Sequence, residues 1–532
     1  MRAFVLAMLA GLAAAPDKTP LRGVIDREVR AEWERQKLSP APLCDDAAFH
    51  RRVHLDLVGS IPTYEETVAF LKDGGAGRRA ALVDRLLEDP RYPVHQAAQW
   101  DLVFFGRNPA SSEVRKRESF QKWLAERFAK NVPYDAWVRD LILAEGNTFE
   151  QGAPTFLYQF RGQALETAEA VSKIILGTQI RCARCHDHPS DTWTQKDFYG
   201  FAAFFARLTV IDGGGSEGKK KYFLGEKSTG EIMFTGPAKD AKPGQKGEPI
   251  TAKYLRGPAL EEPALPKDFK EPDFRSLKTA PPRPRFSRKE RAAAWITSPE
   301  NPFFTRAVVN RVWAQLFGRG FVNPVDDLRE DRPGSHPELM KAMAAGLAAR
   351  KFDLKWLLRE IVLSETYQRA STGETADAKG GYDRFQLRAL GAEEMIAALR
   401  TATGFDGAAK ADPKAQLPGA FGEYVVRHMG NLTDGRGDFQ GSVSERLFMN
   451  NSSQVRQLIQ RRKGNLMDAV LGSSEPWEAR VDRMFLTILN RPPASAERER
   501  FVKHLASAPK PDPLVEEAIW VLLNSAEFRF NH

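Results

Sequence analysis

Residues Cys182-Ala183-Arg184-Cys185-His186 have the spacing with the most chemistry in this chain. Cys-x-x-Cys-His is the attachment signature of c-type haem. Two thiols three positions apart can form thioethers to the two vinyl groups on one porphyrin edge. The adjacent imidazole then reaches the iron as its proximal ligand. On this reading Cys182 and Cys185 are covalent anchors and His186 binds the iron of a single haem. The second ring nitrogen of His186 then needs a carbonyl or carboxylate to fix its tautomer, and Asp187 and Asp191 lie near it in sequence. His188 is too close to His186 to reach the opposite face of the same iron, but it is placed to meet a propionate. By residue type, the sixth ligand has five candidates: Met429, His428, His54, His95 and His336. A filled sixth position means electron transfer, and an open one means small-ligand chemistry.

Two other chemistries use the same residues. Cys182, Cys185, His186 or His188 and one distant donor would make a thiolate–imidazole zinc site, although no second Cys-x-x-Cys completes a tetrahedron. A disulfide or an inert thiol pair would suit a structural or carbohydrate-associated protein. Three cysteines in 532 residues are no disulfide framework. The remaining one, Cys44, is followed by two acids, Asp45 and Asp46, and reads as an inert thiol near a helix start.

The start of the chain bears on the same question. Met1-Arg2 is a short positive segment, and the uncharged apolar run from Ala3 ends in Ala13-Ala14-Ala15. Residues 1–15 have the outline of a secretory signal and are shorter than the ~20 apolar residues that span a bilayer. Export to a periplasm or an equivalent compartment is therefore expected, which suits haem attachment. No later stretch is apolar enough for a membrane anchor.

These residues must be held by ordinary globular structure. The chain is long enough for two or more domains, and a hydrophobic fraction of 42% is that of a packed protein. The net charge of +9 is spread along the sequence, with short runs at Lys219-Lys220-Lys221 and Arg283-Pro284-Arg285. A basic excess can accompany an anionic polysaccharide. No nucleic-acid-binding signature accompanies it here, and nucleotide and serine-hydrolase motifs are missing.

Helical periodicity dominates. Helices are expected over Ile25–Leu38, Ala47–Val58 and Arg78–Leu87, with a capping box at Thr63 and Glu66 between the last two. The motif sits between a helix over Leu165–Gln179 and one capped by Thr194. The second helix carries Phe198, Phe201, Phe204 and Phe205, either a wall for a porphyrin or plain core. From about residue 208 to 284 Gly, Pro and Lys accumulate, with short strands expected at Tyr222–Gly225, Glu231–Thr235 and Ile250–Leu255. Helices resume with Ser287 and Glu290, then Phe304–Phe317 and Leu354–Leu363, and residues 402–442 read as loop. The fold class is mainly α: a signal at 1–15, a helical domain over 20–207, a β-containing, Gly/Pro/Lys-rich segment over 208–284, and a second helical domain over 285–532.

The whole pattern resembles the planctomycete cytochrome-C-like family, in which an N-terminal haem-motif domain is paired with a C-terminal domain, both of unknown function. Carrying residues are Arg51-Arg52-Val53-His54-Leu55-Asp56-Leu57-Val58-Gly59, Leu176–Pro189 with Trp193–Gly200, and Val309-Asn310-Arg311-Val312-Trp313 with Ser335-His336-Pro337. His54 departs from the Thr common there. The segment around His95 also differs from the family pattern. The resemblance implies an exported, mostly helical protein with an unidentified redox partner and supplies no reaction.

Weaker clusters remain. Asp326-Asp327 could hold a cation or act as an acid pair. Arg311 needs a carboxylate if buried, and Asp326 or Asp327 could supply it. Glu393-Glu394 reads as a solvated helix face.

Overall fold

A computed structural model describes residues 19–111, 117–215, 221–236, 247–274, 276–372, 380–405, 421–429, 443–507 and 509–532. The expected signal segment lies outside these residues. The chain is mainly α with a few short strands, and its apolar side chains gather into two clusters.

In the first helix, α1 (Leu21–Gln36), Leu21, Ile25, Val29 and Trp33 recur every fourth position and face inward. Helix α2 (Asp46–Val58) is different. Every residue from Phe49 to Val58 is buried, charged ones included, as expected of a helix enclosed on all sides. Phe49, Val53 and Leu57 belong to the first cluster, which runs from Leu21 to Phe385 across the positions near 207 and 284. Leu55 of the same helix belongs to the second, formed mainly by residues from Leu390 onward. Helix α2 is thus the seam between the clusters.

Gly59 ends α2 in the left-handed region at φ 70°, where a Cβ is costly. A Cβ there would stand 2.2 Å from His95 Nδ1 on helix α5 (Arg91–Phe105). Gly59→Ala is expected to destabilise the fold by about 2 kcal/mol or more, seen as a lower urea midpoint. An unchanged midpoint would mean that the α2–α5 contact is not tight.

Between α2 and α5 lie α3 (Tyr64–Lys72), with the reciprocal Thr63–Glu66 capping box, and α4 (Arg78–Leu87). The expected helix over Leu165–Gln179 is shorter. It forms α6 (Ala164–Ala170), continues as one π turn over Val171–Ile175, and stops at Gly177, φ 64°. Gly177 packs against Ala307 of α8 (Phe304–Phe317), and Leu328 N donates to its carbonyl at 2.8 Å. Tertiary contact ends this helix before its apolar pattern does. The Thr194 cap opens α7 (Gln195–Ala202) as expected.

The segment after residue 207 begins with a hairpin of β2 (Leu208–Gly214) and β3 (Lys221–Glu226), which also pairs with β1 (Gly146–Asn147). The strand expected at Glu231–Thr235 is only β4 (Met233–Phe234), paired with β5 (Glu248–Pro249). Ile250–Leu255 is not a strand. It makes one bridge, Lys253 to Ala259, and turns at Arg256-Gly257-Pro258, with Arg256 at φ 57°.

Later elements include α9 (Leu354–Val362), capped by Asp353, and α10 (Ala392–Thr403). A further helix, α11 (Phe421–Met429), corrects the loop reading of 402–442, because Phe421 and Val425 bury one face in the second cluster. Residues 406–420 and 430–442 lie outside the described set. Arg388–Ala389 pairs antiparallel with Phe530–Asn531, tying the chain's end to the second cluster.

Candidate functional site: an exposed Cys-x-x-Cys-His turn held by both halves of the chain

The motif lies on a 3-10 turn, Arg181–Arg184, running into a loop. Ala183 is buried and pins the turn, while Cys182, Cys185 and His186 are exposed and both thiols are free. The amides of Cys185 and His186 turn back to the Cys182 carbonyl, at 3.3 and 3.5 Å. His186 Nδ1 lies 2.8 Å from the Asp187 carbonyl oxygen. A carbonyl can only accept, so Nδ1 carries the proton and the Nε2 lone pair is left for a ligand. The partner expected from Asp187 is therefore its backbone. Its carboxylate instead accepts from the Gln195 amide at 2.9 Å and ties the motif to α7.

The loop closes on itself and then on its neighbours. His188 N donates to the Trp193 carbonyl at 2.8 Å, and His188 Nδ1 accepts from Ser190 N at 3.3 Å. The buried Trp193 packs against Phe303, with ring centroids 5.9 Å apart, and the Arg256 guanidinium lies over it at 4.8 Å. Arg329 donates to the Ser190 carbonyl and to Ser190 Oγ. On the other side, Arg184 meets Glu166 and Glu169 of α6, and Tyr199 Oη donates to the Arg184 carbonyl at 3.2 Å. Tyr199 is half-buried, and burial raises its hydroxyl pKa against the opposing charge of Arg184.

Phe198, Phe201, Phe204 and Phe205 are almost fully buried in the first cluster. They are core, the plainer of the two readings that the sequence left open. Tyr199, Arg256 and Arg329 are the positioning side chains that the sequence did not disclose. Only Tyr199 carried a signal, as the polar-tipped member of an aromatic run.

The other ligand candidates lie elsewhere. His54 is fully buried in α2, with Nδ1 at the His50 carbonyl, 2.8 Å. His95 is buried beside Asp56 and Arg388, and burial lowers its pKa. His336 is buried against Tyr382 and Phe321, with Nδ1 3.0 Å from Ser335 Oγ. The side chains of His428 and Met429 lie outside the described set. Cys44 is buried, and burial pushes its thiol pKa up, as suits an inert residue. Among the described residues no three His, Cys, Asp or Glu side chains converge on one point as a metal cage. No described helix is long and apolar enough to cross a membrane.

The weaker clusters resolve as structure. Asp326 accepts from Gln179 at 2.7 Å and faces Lys173 at 3.4 Å, while Asp327 faces Arg332 at 3.7 Å. Arg311 Nη2 donates to the Ile174 carbonyl at 3.3 Å. The solvated reading of Glu393-Glu394 is wrong. Glu394 is buried against Arg388, and Glu393 forms a two-pronged pair with Arg107, both bonds 2.9 Å.

Comparison with known families gives two matches within the chain. Residues 24–210 match PSCyt2, a protein of unknown function (DUF1549), and residues 288–437 match PSD1, a protein of unknown function (DUF1553). No curated protein and no solved structure matches the chain. The exposed turn lies in the first region, Arg329 and Phe303 reach it from the second, and the chain belongs to the planctomycete-type family that pairs these two domains.

Proposed function

We propose that the chain is a c-type haem protein of an extracytoplasmic compartment that transfers electrons or assists an oxidoreduction there. One observation carries this. Two free, exposed thiols flank a buried anchor residue, and the imidazole beside them is held in the tautomer that presents Nε2. The donor set fits the group: soft thiols for two thioethers and one neutral imidazole for iron. A bare zinc ion needs about four donors near 2 Å from one point, whereas a haem brings four ring nitrogens of its own and asks the chain for three residues along one edge. Zinc is the second reading, with His188 as an additional donor.

The bound haem would supply a one-electron couple. The chain's own part is positional. The Asp187 carbonyl holds the Nδ1 proton of His186, the Gln195 amide and Arg184 contacts fix the turn on α6 and α7, and Arg329 and Arg256 hold its far side. Exposure of the turn leaves an edge open to a redox partner. Expressed with cytochrome c maturation machinery, the protein is expected to run as a haem-staining band and to exceed the polypeptide mass by one haem. Cys185→Ala should abolish the covalent stain. A colourless wild-type protein of bare polypeptide mass would refute the proposal, and stoichiometric zinc in that protein would establish the second reading.

A further inference from the structure

A cleft of about 530 Å3 opens far along the sequence from the haem motif, between the starts of α1, α2 and α4 and the end of α9. Its lining carries four guanidinium groups, Arg22, Arg78, Arg79 and Arg359, and one carboxylate, Asp46. Arg79 is bonded at all three of its nitrogens: Nε with Asp46 at 2.8 Å, Nη1 with Gln368 at 2.7 Å, Nη2 with the Cys44 carbonyl at 2.9 Å. The others are only partly used. Arg22 Nη1 donates to Glu360 at 2.7 Å, Arg359 grips Asp84 at 2.6 and 3.2 Å, and Arg78 reaches Asp46 and the Asp73 carbonyl. A guanidinium has five N–H donors, so Arg22, Arg78 and Arg359 each keep donors in hand. Asp46, Glu360, Asp84 and Asp73, whose carboxylate accepts from the Gly75 amide at 2.8 Å, balance the four arginines, so the cleft offers unspent N–H donors rather than excess charge.

The backbone adds to it. Gly77 caps α4 without any side-chain bond, and the first-turn amides of Arg79 and Ala80 have no carbonyl to meet within the helix. The loop leading in, Gly74-Gly75-Ala76-Gly77, is bare. A Cβ on Gly74 or Gly77 would meet nothing within 4 Å. Gly77 sits at φ −94°, which any residue adopts. Neither packing nor conformation therefore calls for glycine at 77, and what it leaves is open backbone beside unspent guanidinium donors.

We propose that this cleft binds a tetrahedral oxoanion, phosphate or sulfate, presented free or as the monoester of a small molecule. Several convergent N–H donors suit its oxygens. The cleft is far larger than the ion, which leaves space for an esterified body. The wall draws on both family matches, since Arg78 and Arg79 lie in the first and Arg359 in the second, so occupancy should stabilise the fold.

The test is thermal unfolding of the full chain, with or without haem, in low-millimolar sodium phosphate, sodium sulfate or glucose 6-phosphate against sodium chloride of equal ionic strength. A saturable rise in Tm is expected with the oxoanions. If glucose 6-phosphate acts at lower concentration than phosphate, the monoester is the ligand; equal action identifies the free ion. General salt stabilisation is not saturable at these concentrations. Gly77→Asp places a carboxylate in the open space while supplying a good helix cap. It should fold at least as well in chloride yet weaken oxoanion binding by about 10-fold or more. Arg78→Gln should weaken it in the same direction. No rise above chloride in the wild type, or the same saturable rise in Gly77→Asp, would overturn the proposal.

Discussion

Taking the protein from about pH 6.5 down to about pH 4 is expected to cost roughly 3 kcal/mol of stability for each of His50 and His54. Both rings are fully buried in α2, 4.4 Å apart at 70°, and His50 stacks on Phe70 at 4.5 Å. Neither nitrogen of His50 has a hydrogen-bond partner, nor has Nε2 of His54. Glu66 is the nearest carboxylate, 3.8 Å from His54 Nε2, but it already accepts from the Thr63 amide and Arg91. Arg85 opposes protonation of both rings and Arg91 that of His54, whereas Asp89 favours protonation of His54. Burial is the largest cause and holds His50 down to about 2 and His54 to about 3.

The sign follows from proton counts. Between those values and the ordinary histidine value near 6.5, the unfolded chain binds protons that the folded one refuses, so stability falls as pH falls. Against a typical total of ~5–15 kcal/mol, the pair alone makes the fold acid-labile. His336 and His532, each held down to about 4 chiefly by burial, act in the same direction. Asp56 acts oppositely. Burial lifts it to about 6, so its protonation favours the folded state in acid. His50→Leu removes one site without removing any hydrogen bond. It should match or exceed the wild type at neutral pH and lose about 3 kcal/mol less by pH 4. Urea midpoints of both proteins across this range isolate the difference, since Asp56 is common to both. Parallel profiles would show that His50 is protonated or exposed in the folded state.

What could be read in advance was what is local. The Thr63–Glu66 box and the Thr194 and Asp353 caps need only residues three positions apart and form as the sequence suggests, whereas at Ser287 and Glu290 the cap forms without the reciprocal bond of a box. The Cys-x-x-Cys-His spacing is likewise self-contained. What escaped is what depends on distant partners. The Leu165–Gln179 pattern ends early because Ala307 and Leu328 close on Gly177. Glu394 is buried because Arg388 waits for it, and Arg329 reaches Ser190 across 139 positions of sequence. The Phe run along α7 and the turn after it showed burial without saying against what, and only its surroundings separate core from cofactor wall. The arginines of the proposed anion cleft are scattered from Arg22 to Arg359 and form no run that composition could reveal.

Asp56→Ala is expected to cost about 3–5 kcal/mol, because the family stretch Arg51–Asp56 serves as the clasp between the chain's two ends. Asp56 Oδ2 accepts from Tyr367 Oη at 2.5 Å. Its Oδ1 accepts from Asn531 Nδ2 at 2.9 Å and from the Arg388 guanidinium, which also meets Glu394 at 3.3 Å. Beside it, Arg52 donates to the carbonyls of Arg369 at 2.9 Å and His532 at 3.0 Å and lies 3.7 Å over the Phe385 ring. Arg51 donates to Asn490 and to the Phe528 carbonyl, both at 2.8 Å. Removing the carboxylate leaves a buried amide and a buried phenol without their acceptor and the partly exposed Arg388 guanidinium with Glu394 alone, and a donor left unpaired costs more than its bond contributes. That asymmetry sets the control. Adding Arg388→Met to Asp56→Ala should recover part of the loss, giving a non-additive cycle in urea unfolding. Tyr367→Phe alone should cost only about 1–2 kcal/mol, since the carboxylate keeps its other donors. Additive single and double variants would mean that Asp56 and Arg388 are solvated separately, and the clasp would then have to rest on Arg51 and Arg52.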